Sequence, residues 1–143
     1  MALHDGYMNA KYSDMMKYAI IWEARSGSAP TSMQAVYDYF VPYWIENYFK
    51  DDRYMTVDGN LIMFVYDYGT YIHHGICGSN FSNTKTLFAT IKGMVEEATG
   101  MPLVILSVMP ESAGSSYLRS AGLDGVSPYH WNKGGSSWDY TSE

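Results

Sequence analysis

Cysteine is almost missing from this sequence of 143 residues, and its scarcity excludes two kinds of site. Cys77 is the single cysteine, so the chain cannot form an internal disulfide. A zinc site built from several thiolates is excluded for the same reason. One thiol is compatible with an oxidising or a reducing compartment, so the cysteine content leaves the localisation open.

Basic residues are also few. The nine Lys and Arg are scattered singly along the chain, and the formal net charge is −6. Proteins that bind nucleic acids concentrate positive charge where the phosphates lie. The sequence therefore predicts no nucleic-acid partner.

Long apolar runs are absent as well. No stretch approaches the roughly 20 apolar residues that a membrane-spanning helix needs, so the sequence predicts no membrane partner. Residues 1–6 lack the basic and apolar regions of a signal peptide. That absence fits a cytoplasmic protein, and it equally fits a longer protein whose start has been removed.

Aromatic residues, by contrast, make up 16% of the chain, with 14 Tyr and 4 Trp. Tyr and Trp combine a flat apolar face with a polar tip. Sugars combine an apolar C–H face with a rim of hydroxyls, so carbohydrate is a candidate ligand. The alternative is that Tyr simply serves in the core and on the surface.

Four short apolar runs predict β-strands. The second and third are continuous rather than alternating, which is typical of strands buried on both faces of a parallel sheet. The lengths favour strands over buried helix segments. The four runs are Tyr18–Trp22, Leu61–Tyr68, Leu103–Met109 and Gly125–Tyr129.

Helical patterns separate these runs. Thr31 and Gln34 have capping-box spacing, and apolar residues then recur at helical intervals to Phe49. Pro42 falls inside that pattern and is expected to kink or divide the helix. Between this helix and the second strand, the Asp58-Gly59 pair predicts a small hairpin.

The second half of the chain continues the alternation. A loop is predicted over residues 75–83, followed by a helix over residues 84–99 that Gly100 ends. A short helix over residues 112–121 follows the third strand, and Gly122 ends it. The order β-α-β-α-β-α-β predicts an α/β fold with parallel strands and helical crossovers.

Polar and aromatic side chains gather where the predicted strands end. Active sites of parallel α/β folds lie beyond the carboxyl ends of the strands, so these residues are candidates for a site. Carboxylates can act as acid, base or nucleophile on a glycoside, and flat rings can stack on sugars. The predicted catalytic residues are Glu23 and Asp67; the predicted substrate-binding residues are Trp22, Tyr66, Tyr68, Tyr129, His130 and Trp131.

Each of these residues also has a purely structural explanation. Glu23 could lie at the surface, Asp67 could cap the following turn, and His130 could be a hydrogen-bonded structural residue. Trp22 and Trp131 could simply pack at the rim of the fold. Tyr66 and Tyr68 alternate, so at most one of them is expected to point into the site.

The sequence predicts neither a metal nor a cofactor. His73, His74 and Cys77 lie close together, but neighbouring histidines on an extended segment point to opposite faces, and no second cysteine completes a soft site. Glycine patterns that cradle phosphates are absent, and so is the Ser or Cys nucleophile elbow.

Several segments together resemble the glycoside hydrolase family 99-like and WbsX-type proteins. The most specific is the stretch from Tyr48 to Tyr54 with the Val-Asp-Gly-Asn-Leu run that follows it. The flanking similar segments are Met16–Glu23, Phe64–Asp67 and residues 121–129, and all occur in the order seen in that family.

The resemblance implies a (β/α)8 barrel that acts on glycans, as hydrolase or as polysaccharide glycosyltransferase. Such a barrel needs about 250 residues, so this chain corresponds to about half of a TIM-type barrel. The family's acidic catalytic motif, which follows the last matching strand, is not present here. The resemblance therefore implies a glycan-binding segment that lacks the main catalytic acids.

Half a barrel would leave two open strand edges and an apolar interior face. We expect such a chain to form a homo-oligomer through those edges, to recruit the missing segments, or to rearrange into an open sheet. Two other functions stay open: a non-catalytic sugar-binding module, and a small flavodoxin-like domain without a role in carbohydrate binding.

Overall fold

The computed structural model describes residues 6–25, 29–108 and 115–127. Its centre is a sheet of five strands, four of which are parallel. The strands are β1 (Ile21–Glu23), β2 (Thr56–Val57), β3 (Asn60–Tyr66), β4 (Leu103–Ser107) and β5 (Gly125–Val126). The predicted α/β class with parallel strands is confirmed.

The parallel strands lie side by side in the order β1-β3-β4-β5. Each is the spatial neighbour of the next parallel strand along the chain, so the sheet is wound in one direction. The first predicted strand begins later than expected, because Tyr18 forms only an isolated parallel bridge with Tyr54. β5 comprises two residues. Ser127 follows it and donates its amide to the Ser107 carbonyl at 2.7 Å, and positions 128–129 of the fourth predicted strand lie outside the described residues.

The two faces of the sheet differ. The first face carries Leu61, Met63, Val65, Leu103 and Ile105, all of which are buried in one hydrophobic core with the helices. The second face carries the alternate residues, which register across the strands as Ile21 beside Phe64 beside Leu106, and Ile62 beside Val104. Glu23 and Tyr66 end this second face at the carboxyl edge.

The predicted hairpin is confirmed. β2 pairs antiparallel with the start of β3, and Asp58 and Gly59 form the turn with φ angles of 49° and 78°. Two consecutive positive φ angles characterise the tight turn whose twist matches the flanking strands, and Asp-Gly is a favoured pair there.

Helix α1 covers residues 33–49 and consists of four consecutive segments: Met33–Ala35, Val36–Phe40, Val41–Trp44 and Ile45–Phe49. Its N-cap is Ser32, whose Oγ accepts a hydrogen bond from the Ala35 amide at 3.1 Å, rather than the predicted Thr31. Pro42 does not divide the helix. The hydrogen bonding instead switches to wider, five-residue spacing on either side of it, which accommodates a residue without an N–H.

Helix α2 (Gly69–Ile76) was not predicted, and the expected loop over residues 75–83 is wrong for both its ends. α2 is wound with wide hydrogen bonds of the same kind, such as Cys77 N to Ile72 O at 2.9 Å. Helix α3 (Phe81–Thr99) then begins earlier than predicted, because Asn80 caps it by accepting from the Ser82 and Asn83 amides.

The predicted ends of the helices agree with the structure better than their predicted starts do. α3 ends at Gly100 with φ 72°, and α4 (Ser115–Ala121) ends at Gly122 with φ 87°. Both glycines occupy the left-handed conformation that ends many helices. The predicted start of α4 near residue 112 lies outside the described residues, while Leu118 on this helix is buried.

Helix α3 packs against both α1 and α4, and all three share the hydrophobic core on the first face of the sheet. At the amino edge of the sheet, Arg53 binds the chain that precedes β1 by donating to Ser13 Oγ at 2.8 Å. Arg53 also donates to Asp51 at 2.6 Å. The hydrogen bond from Arg53 lowers the pKa of the Asp51 carboxyl.

In the described part of the chain, no helix is both long and apolar enough to cross a membrane.

Candidate functional site

The carboxyl edge of the sheet brings two of the predicted site residues together. Glu23 ends β1 and Tyr66 ends β3, and the parallel register places them directly beside each other. Both side chains therefore leave the sheet on the second face. The Glu23 side chain is 56% exposed, so it is accessible to a ligand from solvent.

Arg25 joins these two residues. Its Nε lies 3.0 Å from Glu23 Oε1, and its Nη2 donates to the Tyr66 hydroxyl at 3.1 Å. The guanidinium carbon also lies 4.9 Å from the centre of the Tyr66 ring, within the range of a cation–π contact. A carboxylate, a guanidinium and an aromatic ring thus form one cluster at the strand ends.

Sequence reasoning missed Arg25. The available signal was its position two residues after Glu23, which keeps the alternation of the strand for one further step. Because the chain leaves the sheet after Glu23, the direction of the Arg25 side chain could not be inferred from the sequence. Only the contact with Tyr66, 41 positions later, reveals its part in the cluster.

Asp67 follows Tyr66, but its side chain hydrogen-bonds a residue only three positions later in the chain. Its φ angle is 46°, and its Oδ1 accepts from the Thr70 hydroxyl at 3.0 Å and from the Thr70 amide at 3.4 Å. This is the capping role that the sequence left open as an alternative. The predicted catalytic role of Asp67 stays a prediction.

Trp22 and Tyr68 lie in the core rather than at the second face. They are 6% and 3% exposed, and Trp22 packs edge-on against Trp44 with ring centres 5.1 Å apart. Trp22 alternates with Glu23 along β1, so the two side chains leave opposite faces of the sheet. This placement favours the packing explanation for Trp22. Neither Trp22 nor Tyr68 belongs to the cluster of Glu23, Arg25 and Tyr66.

The remaining predicted substrate-binding residues, Tyr129, His130 and Trp131, lie outside the described residues. Among the residues that the structure does describe, no group of three or more His, Cys, Asp or Glu side chains is arranged to hold a metal ion. His73 and His74 lie on helix α2, not on the extended segment expected from the sequence.

A cavity of about 450 Å³ lies at the opposite, amino edge of the sheet. It is lined by the ends of α1 and α3 and by the start of β3, including Lys50, Thr99 and Leu61. It is therefore separate from the cluster at the carboxyl edge.

No family model, no curated protein and no solved structure matches this chain.

Proposed function

We propose that this chain is about half of a glycan-binding (β/α)8 barrel, and that Glu23, Arg25 and Tyr66 contact the sugar. The winding of the sheet supports the barrel. In a doubly wound sheet the strand order reverses and helices cover both faces. Here the parallel strands follow one another in one direction, and α1, α3 and α4 share the core on the first face, which is the arrangement of consecutive units in a barrel.

The composition of the second face agrees with this proposal. In a barrel, the face away from the helices fills the interior with layers of apolar side chains and becomes polar at the carboxyl end. The second face has apolar rows of Ile62 with Val104 and of Phe64 with Leu106, followed by Glu23 and Tyr66.

The single observation that carries the glycan assignment is the contact of Arg25 with both Glu23 and Tyr66. Carboxylate oxygens accept hydrogen bonds from sugar hydroxyls, and guanidinium N–H groups donate to sugar oxygens. An aromatic ring beside them offers the flat apolar surface that matches a sugar C–H face.

The cluster is better suited to binding than to hydrolysis. Glycoside hydrolysis ordinarily needs two carboxyl groups on either side of the bond to be cleaved. Glu23 Oε1 is held by Arg25, and Asp67 Oδ1 is held by Thr70. We therefore assign Glu23 to sugar binding, and a non-catalytic sugar-binding module is the second candidate function.

Glycan binding tests the proposal. Once a glycan array has identified a ligand, we expect Glu23→Gln and Tyr66→Ala each to weaken its binding by about tenfold, because the first replaces a charged acceptor oxygen by an amide donor and the second removes the stacking surface. Isothermal titration calorimetry measures the change. Chromatography of the glycan after incubation distinguishes turnover from binding.

Glu46→Gln is the matched control. Glu46 is a second exposed glutamate in an ion pair, with Lys50 at 2.5 Å, but it lies on α1. Its substitution should leave glycan binding unchanged. A chain that binds none of the arrayed glycans, or that binds them equally well without Glu23 and Tyr66, contradicts the proposal.

A further inference from the structure

The cavity at the amino edge of the sheet has the size of a small-molecule site. Its volume of about 450 Å³ lies within the range of about 300–1,000 Å³ that is usual for such sites. It lies where α1 and α3 end and β3 begins, so three elements that are distant in the sequence build it. It shares no lining residue with the cluster of Glu23, Arg25 and Tyr66, so a molecule bound here would not occupy the proposed glycan site.

The buried part of the cavity lining is largely apolar. Phe49 and Leu61 are each 1% exposed and belong to the hydrophobic core, and Met101 packs against that core. Ala98 adds a methyl group from the exposed side of α3. An apolar group that enters the cavity would exchange water for these side chains, which favours a molecule with an aliphatic or aromatic part.

Four charged residues also line the cavity, and two of them already have partners in ion pairs. Lys50 pairs with Glu46, whose Oε1 lies 2.5 Å from the Lys50 Nζ. Asp51 pairs with Arg53, whose Nη2 lies 2.6 Å from the Asp51 Oδ2. These two charges are compensated within the protein and do not require a partner from a ligand.

Lys17 and Asp52 are the other two charged residues of the lining. Both are exposed, and among the described residues neither side chain forms an ion pair. The Lys17 ammonium donates to the backbone carbonyl of Asp52, which keeps the ammonium beside the cavity. The cavity thus presents one uncompensated cation, one uncompensated anion and an apolar wall.

We propose that the cavity binds a free α-amino acid with an apolar side chain. The Lys17 ammonium pairs with the α-carboxylate, the Asp52 carboxylate pairs with the α-ammonium, and the side chain of the ligand lies against Leu61 and Met101. The carboxyl ends of α1 and α3 carry partial negative charge, which also attracts the ammonium. A ligand with a single charge would leave Lys17 or Asp52 partly desolvated without a partner, which weakens binding.

Titration with L-leucine and with L-phenylalanine, followed by 1H–15N NMR, tests the proposal. We expect the amide resonances of Leu61, Thr99 and Met101 to shift, while those of Glu23 and Tyr66 stay in place. The N-acetyl derivative of the amino acid lacks the ammonium, and the C-terminal amide lacks the carboxylate. Each should bind about tenfold more weakly, because each leaves one charge of the site unpaired.

Two phenylalanine substitutions on α3 locate the site. Ala98→Phe places a ring in the cavity and should abolish binding of the amino acid. Ala89→Phe is the matched control, because Ala89 is also exposed on α3 but does not line the cavity, and this variant should bind as the wild type does. Both positions are exposed, so both variants should fold.

Two charge substitutions test the assigned roles. Lys17→Met should weaken binding of the amino acid by about tenfold and leave binding of its C-terminal amide unchanged; Asp52→Asn should do the same with respect to the N-acetyl derivative. The proposal is overturned if neither amino acid shifts the amides that line the cavity, if the Ala98→Phe and Ala89→Phe variants bind equally well, or if both derivatives bind as tightly as the amino acid itself.

Discussion

Tyr54→Phe should destabilise this protein by about 2–4 kcal/mol, although it removes only one oxygen atom. Tyr54 is 2% exposed, and its hydroxyl donates to the Ile62 carbonyl at 2.8 Å and accepts from the Ile20 amide at 3.2 Å. Removing the hydroxyl takes this partner from the buried Ile62 carbonyl, which costs about 1–3 kcal/mol, and from the partly buried Ile20 amide, which costs about 1 kcal/mol. Urea denaturation measures the loss.

The hydroxyl of Tyr54 keeps its proton throughout this experiment. Burial raises the pKa of Tyr54 well above that of a free tyrosine. The hydrogen bond to Ile62 is therefore donated at every pH at which the protein would be handled, and the loss should not depend on pH near neutrality.

Tyr37→Phe is the matched control. The Tyr37 hydroxyl is buried without a hydrogen-bond partner among the described residues, as is the Trp22 indole N–H. Removing an unsatisfied polar group abolishes a desolvation cost, so this variant should be unchanged or slightly more stable. If the Tyr54→Phe variant loses no more stability than the Tyr37→Phe variant, the bridging role of Tyr54 is refuted.

The second large effect is expected at Gly122. Gly122 ends α4 with φ 87°, and a Cβ there would lie 3.2 Å from the Cα of Lys85 and 3.4 Å from its carbonyl oxygen on α3. Gly122→Ala should cost about 1–2 kcal/mol for the left-handed conformation and about 1–3 kcal/mol more for the forced separation of the two helices. Thermal and urea unfolding measure the total.

Gly100→Ala separates these two contributions. Gly100 ends α3 with φ 72°, but, its chain neighbours aside, no heavy atom of the described residues would lie within 4 Å of a Cβ at that position. This variant should show only the conformational cost of about 1–2 kcal/mol. Equal losses at the two glycines would mean that the approach of α4 to α3 is unimportant for stability.

Gly100 and Gly122 illustrate which features could be predicted from the sequence and which could not. Both helix ends were predicted, because a glycine after a run of helical periodicity has a local cause, its freedom to adopt positive φ. The hairpin at Asp58 and Gly59 was predicted for the same local reason. The close approach of Gly122 to Lys85 was not predictable, since it depends on how two helices 37 positions apart come to pack.

Helix α2 was missed because its sequence lacks the usual signals. Residues 69–76 contain two glycines and two adjacent histidines, and their only aliphatic residues are Ile72 and Ile76. Its wide hydrogen-bond pattern is stabilised by burial of Ile72 and by the attachment of His73 to Thr84. Those contacts are tertiary, and local propensity could not indicate them.

The candidate site was predicted in part. The strand-end rule placed Glu23 and Tyr66 at one edge of the sheet, where the register sets them side by side, and their role in binding stays a prediction. It also selected Trp22, because the apolar run from Tyr18 to Trp22 has no alternation that would distinguish its two faces. The helices pack against the side of β1 that carries Trp22, so Trp22 is buried in the core and Glu23 lies on the opposite face.

The α/β alternation, the parallel strands, the hairpin and the two glycine helix ends were all predictable from the sequence, since the signals for each lie in residues close together in the chain. The tertiary structure alone decided which face of each strand meets the helices, where Arg25 points and how α2 is held. Those features depend on contacts between distant segments, and a residue's neighbours in the sequence do not encode which distant side chains will surround it.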